Sequence, residues 1–150
     1  MTDKTFGTAR ADLSYREARG AYLIAIERGV LSVVYRDGGT YLPGDESTEG
    51  ESHEDTLLRA CMAQTGYDAS VEDYIADADL YDGAGVHSVR SYFSGALIEQ
   101  IAPPAIPTCR YGQIPLTDTD QLSLPIEKWA VEQCVEMLRA DAHGSDDEDL

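Results

Sequence analysis

The chain is poor in positive charge. Lysine and arginine total 11 against 28 aspartates and glutamates, a formal −17. A surface of that sign repels phosphate backbones, so no nucleic-acid partner is expected. It equally disfavours docking on an anionic leaflet, and no membrane partner is expected. Long apolar runs are missing as well. The longest, Ala21 to Ile26, falls far short of the ~20 residues that span a bilayer. The opening MTDKTFGTARADLS has no apolar stretch of signal-peptide length, so secretion is not expected. Cysteine is scarce and unpatterned: Cys61, Cys109 and Cys134 are odd in number, far apart and form no CxxC pair. Buried free thiols in a reducing, cytoplasmic setting are the plain reading. His53, His87 and His143 are equally scattered and give a zinc site little to build on.

What is present fits one soluble domain. At 150 residues with 43% hydrophobic content, the chain can bury a single core without disulfides or structural metal. The first fourteen residues are polar and unpatterned, an arm that pairs only in the folded state. AYLIAIE, the Arg28-Gly29 turn and VLSVVYR read as a hairpin. Asp37-Gly38-Gly39 signals a second turn leading to a short TYLP strand. A run rich in carboxylates, Asp45 to Asp55, precedes a helix. Ser52 is positioned to cap that helix, with Asp55 three residues on. Leu57, Leu58, Cys61 and Met62 recur at helical spacing, and Thr65-Gly66 supplies the stop. Strands are expected around Val71–Leu80 and Val86–Leu97, with a turn at Asp82–Gly85 between them. The segment IAPPAIP ends regular structure. A last helix is expected from Pro125 to Leu138, with Ile126, Trp129, Ala130, Cys134 and Leu138 on one face. Residues 1–140 form the expected domain, and 141–150 an acidic tail expected to be disordered. The order of elements implies an α/β fold, a helix–sheet–helix sandwich around a mixed β-sheet.

The stretch LPGDESTEGESHEDTLLRACMAQTGY, Leu42 to Tyr67, resembles the box of the Nudix (MutT-like) hydrolases. Leu42, Pro43, Gly44, Gly50, Glu51, Ser52, Arg59, Thr65, Gly66 and Tyr67 all fall where that family's pattern places them. Ala21 to Arg36 is similar to the family's opening hairpin, Ser91 to Leu97 to its later central strand, and Lys128 to Gln133 to the start of its last helix. The resemblance implies a Nudix-type α/β/α sandwich in one domain.

The departures from the pattern bear on activity. Asp45 stands where the motif has a glycine, and Ala60, Ala63 and Gln64 stand where it has three helix glutamates. In active members those glutamates hold the Mg²⁺ or Mn²⁺ that activates water and neutralises a diphosphate. Spacings of i, i+3 and i, i+4 put the three positions on one helical face, where carboxylates could converge on a hard cation. Two methyl groups and an amide cannot. Without an ion, a diphosphate would meet Asp45, Glu46, Glu49, Glu51, Glu54 and Asp55 unscreened. Like charges ~4 Å apart repel by about 4 kcal/mol at an effective dielectric of 20.

The resemblance assigns Glu51 and Arg59 a pairing that braces the loop against the helix; an i, i+4 surface pair between Asp55 and Arg59 is the simpler alternative. The expected function is that of a degenerate Nudix-fold protein with metal-dependent pyrophosphohydrolase activity lost or greatly weakened. It would act as a small-ligand-binding, regulatory or self-associating module, with no cofactor. The alternative is a working hydrolase of nucleoside diphosphates linked to another group. That enzyme would hold Mg²⁺ or Mn²⁺ on Glu51, Glu54 and a distal acid such as Glu99, Asp118 or Asp120. Tyr35, Tyr41, Tyr81 and Tyr92 lie on or beside strands that can line the family's substrate groove. Tyr35, Tyr41 and Tyr92 are the candidate ligand contacts for a nucleotide-like small molecule. His87 is the one histidine considered for such contact, and a homodimer is a further possibility.

Overall fold

The computed structural model describes residues 2–148, with side chains described for 2–141. The hairpin forms first in sequence. β2 (Arg16–Glu27) and β3 (Val30–Arg36) join through Arg28 (φ 54°) and Gly29 (φ 76°), the left-handed pair that a two-residue hairpin turn requires. β2 starts five residues earlier than its apolar pattern suggests, because its opening residues pair in parallel with β7 (Val86–Gln100), from Arg16↔Val86 to Ala25↔Gly95. At Gly20–Tyr22 it also pairs antiparallel with β5 (Gly44–Glu46).

The described strands make one eight-stranded mixed sheet in the order β1-β6-β7-β2-β3-β4, with β5 on β2 and β8 on β3. The N-terminal arm contributes β1 (Lys4–Phe6), parallel to β6 (Tyr67–Tyr81). β4 spans Gly39–Tyr41. β8 spans Arg110–Pro115, where the sequence pattern predicts no strand. Its sequence, RYGQIP, has one buried position, Ile114, and too little alternation to read as a strand. A short 3₁₀ segment at Leu116–Gln121 follows it.

The apolar run of β2 is continuous because both of its faces are covered. Ala21, Leu23 and Ala25 pack with Leu57 and Cys61 of α1 (His53–Thr65) on one side. Tyr22 and Ile24 pack with Tyr92, Ile126, Ala130, Val131 and Cys134 on the other, against α2 (Pro125–Glu148). The molecule is therefore the expected α/β/α sandwich. α2 continues ten residues past Leu138, to Glu148. Leu138 itself is 50% exposed and stands off the buried face that its helical spacing predicts for it. Of the expected acidic tail, residues 149 and 150 lie outside the described residues, as do the side chains of 142–148.

Candidate functional site

α1 begins as its sequence dictates. Asp55 N donates to Ser52 Oγ at 3.1 Å, and Ser52 N returns a bond to Asp55 Oδ2 at 3.4 Å, a reciprocal cap. Gly66, at φ 77°, ends the helix. Asp55 is thus committed to the cap, and the surface pair with Arg59 does not form. Arg59 reaches back over the preceding loop instead. Its Nε donates to Glu51 Oε2 at 2.7 Å and its Nη2 to Glu51 Oε1 at 3.0 Å. The same guanidinium takes the Glu46 carbonyl at 2.9 Å and Asp45 Oδ2 at 3.2 Å. A planar fork suits such a bidentate grip, which a lysine could not reproduce.

Glu51 is held firmly by these contacts. Besides Arg59, its Oε1 accepts from Thr48 N at 2.7 Å and from Thr56 Oγ1 at 3.2 Å. The hydrogen bond from Arg59, then that from the Thr48 amide, hold its carboxyl down to about 2. The Arg59 guanidinium is shifted upward by the same partner.

The face beyond Arg59 carries the three departures. Ala60 is buried at 1% exposure. Ala63 is half-buried, and its carbonyl accepts from Ile106 N at 3.0 Å in the proline-bearing loop after β7. Gln64 is buried and both ends of its amide are used: Oε1 accepts from Gly44 N at 3.1 Å and Nε2 donates to Gly44 O at 2.8 Å. Gly44 must be glycine, since a Cβ there would sit 2.4 Å from the Ala21 carbonyl. These residues do not fit a divalent ion, which asks for several free oxygens. The distal acids do not complete a relocated cage either. Glu51 is engaged by Arg59 through both oxygens, Asp120 is paired with Lys128, and Glu54, Glu99 and Asp118 are exposed. Among the described residues no three His, Cys, Asp or Glu side chains come together in a way that could hold a metal.

The tyrosines separate. Tyr35 is half-buried and lines an open cleft of about 510 Å³ with Arg36, Thr40, Cys109 and Arg110. The Arg110 guanidinium lies 5.2 Å from the Tyr35 ring centre, and that of Arg36 lies 4.0 Å from the ring of Tyr41 beside the cleft. Tyr92 does not face a groove. It is fully buried between the sheet and α2, its hydroxyl accepting from Arg90 Nη1 at 3.0 Å, because its register opposite Tyr22 turns it inward. Tyr81 and His87 stack on each other, ring centres 4.2 Å apart, and His87 Nε2 lies 2.8 Å from Asp79 Oδ2, so neither is directed at the cleft. Sequence reasoning missed the cleft arginines Arg36 and Arg110, and it missed the buried pair Arg90 and Glu127. A signal for Arg90 existed: it shares strand parity with Tyr92.

No protein-family model matches the chain, and no curated protein matches it in sequence. Solved structures do match in shape. A NUDIX hydrolase from Nitrosomonas europaea superposes with a TM-score of 0.71 at 14% identity, over 81% of this chain and 90% of that one. A MutT protein from Methanosarcina mazei Go1 gives 0.69 at 15% identity, over 83% and 98%. A MutT NUDIX hydrolase from Burkholderia pseudomallei gives 0.66 at 20% identity, over 79% and 98%. The chain has the Nudix fold.

Proposed function

We propose that this Nudix-fold chain has lost, or retains only weakly, metal-dependent pyrophosphate hydrolysis, and that it works as a module binding a nucleotide-like small molecule. One observation carries the reading. The helix face that would hold a cation offers Ala60, Ala63 and an amide already tied to Gly44. Without an ion, nothing on that face lowers the pKa of a water or shields a diphosphate from the loop acids.

The cleft beside Tyr35 supports the binding half of the proposal. It sets the Tyr35 ring beside the guanidinium groups of Arg110 and of Arg36, the latter also paired with Asp37 on the same wall, in a strongly acidic protein, an arrangement suited to a planar, anionic ligand. Three buried free cysteines agree with a cytoplasmic setting. The test is a broad panel of nucleotides with Mg²⁺ or Mn²⁺, read both for product and for thermal stabilisation. Stabilisation by a panel member without turnover, diminished in Arg110→Ala, is the expected result. Turnover abolished by Glu51→Gln would overturn the reading in favour of a hydrolase.

A further inference from the structure

Gln64 pairs with Gly44 as a residue of a neighbouring strand would, taking its N–H and giving to its carbonyl at 3.1 and 2.8 Å. Both residues are buried, so neither group can turn to water for a substitute partner. A carboxylate in the same position would keep the bond from Gly44 N and lose the other. Its second oxygen would stand against the Gly44 carbonyl oxygen, two acceptors with no hydrogen between them. Two oxygens bound at right angles to one octahedral cation at ~2.1 Å lie about 3.0 Å apart. The observed spacing of 2.8 Å is therefore one that either an amide hydrogen or a small divalent ion could bridge.

We propose that the side-chain amide of Gln64 is a built-in replacement for a divalent cation, holding the Leu42–Gly44 turn on α1 with a covalently attached donor. The inference rests on the proposed function, in that no ion is held at this face, and adds what took the ion's place. Arg59, a position the family pattern also keeps, braces the same loop. Its guanidinium binds Glu51, Asp45 and the Glu46 carbonyl, and so supplies the positive charge that an acidic loop needs in order to lie against the helix. Between them, one amide and one guanidinium hold the loop against the helix. A consequence follows for a single substitution: Gln64→Glu converts closure of the turn from ion-independent to ion-dependent.

The experiment is thermal unfolding of the full chain, Gln64→Glu and Gln64→Ala, each in chelator and in about 10 mM Mn²⁺ at about pH 8, where an ordinary carboxyl is ionised. The parent's midpoint is expected to be the same in both, apart from any shift from Mn²⁺ on the general acidic surface, which Gln64→Ala shares. Gln64→Glu is expected to melt about 5–10 °C below the parent in chelator, the scale of one unsatisfied buried acceptor. Mn²⁺ should restore at least half of that loss. Gln64→Ala should melt low in both conditions, having neither donor nor ligand. The assignment is overturned if Gln64→Glu in chelator melts with the parent, or if Mn²⁺ raises it no more than it raises Gln64→Ala. Should Gln64→Glu fail to fold in chelator, folding when prepared in Mn²⁺ supports the assignment and failure in both conditions overturns it. Turnover by the parent chain would defeat the proposed function without altering these curves. Curves that do not respond to Mn²⁺ would defeat the role given to Gln64 and leave the proposed function standing.

Discussion

Arg90 and Glu127 meet in the layer between the sheet and α2, Nη1 to Oε2 at 3.2 Å, with side-chain exposures of 8% and 0%. The other oxygen of Glu127 accepts from the Leu42 amide at 3.0 Å, and the Arg90 guanidinium lies 3.9 Å from the Tyr22 ring centre. This pair joins β7, α2 and the chain entering the box loop. Burial pushes the Glu127 carboxyl up, against the pull of Arg90. Removing one partner strands the other charge. Glu127→Ala is expected to destabilise the fold by about 3–5 kcal/mol in urea unfolding. Arg90→Met combined with Glu127→Leu should recover only part of that loss, because an apolar pair leaves no orphaned charge but strands the Leu42 amide and the Tyr92 hydroxyl.

Glu51 gives the pH prediction. Its folded value of about 2 lies below the ordinary 4.5, so the folded state binds that proton less readily than the unfolded chain does. The contribution of the pair is present above the ordinary value and is lost as pH falls from about 4.5 toward 2. A carboxyl-carbon NMR titration should place the Glu51 midpoint near about 2, and Arg59→Met should move it up toward the ordinary range. A midpoint near 4.5 in the parent would contradict the brace.

The thiols should be inert in the native state. Burial pushes Cys61 up to about 12 and Cys134 up to about 11, which leaves almost no thiolate at neutral pH. A colourimetric thiol reagent should label neither within the time that labels both in guanidinium. Rapid native labelling of Cys61 would show that α1 does not pack on Leu23 and Ala25 as described.

Much of this arrangement was legible in the sequence, for local reasons. Arg28-Gly29, Ser52 with Asp55, and Gly66 each fix their own backbone within a few residues, so turn, cap and stop stand where their chemistry puts them. The register of Ala60, Ala63 and Gln64 follows from the same helix. What was not legible depends on partners distant in sequence. β8 exists because Leu31 finds Ile114 across 83 residues, and nothing within RYGQIP announces it. Tyr92 looked like a groove residue because strand parity gives two faces and does not say which is covered. Spacing alone favours Asp55 as the partner of Arg59; it is the family resemblance that assigns Glu51, which the loop folds back to offer as a bidentate partner. Arg36 and Arg110 become neighbours only when the turn after β3 meets the start of β8.

Rebuilding the missing face should reverse the loss. Ala60→Glu, Ala63→Glu and Gln64→Glu together place three carboxylates on one side of α1. The ion-free triple variant is expected to be less stable than the parent, as position 60 is buried. Its Mn²⁺ affinity should exceed the parent's by about tenfold or more, equal to at least about 1.4 kcal/mol of binding. Equal affinities would mean that the three side chains do not converge.

The most direct measurement is calorimetric titration of the unmodified chain with Mn²⁺, beside the same titration of Arg59→Met. The account predicts only weak, non-saturating heats for the parent, those of a diffuse acidic surface, and a greater response once the guanidinium that occupies Glu51 is gone. Saturable, one-to-one uptake by the parent at micromolar Mn²⁺, abolished by Glu51→Gln, would contradict it.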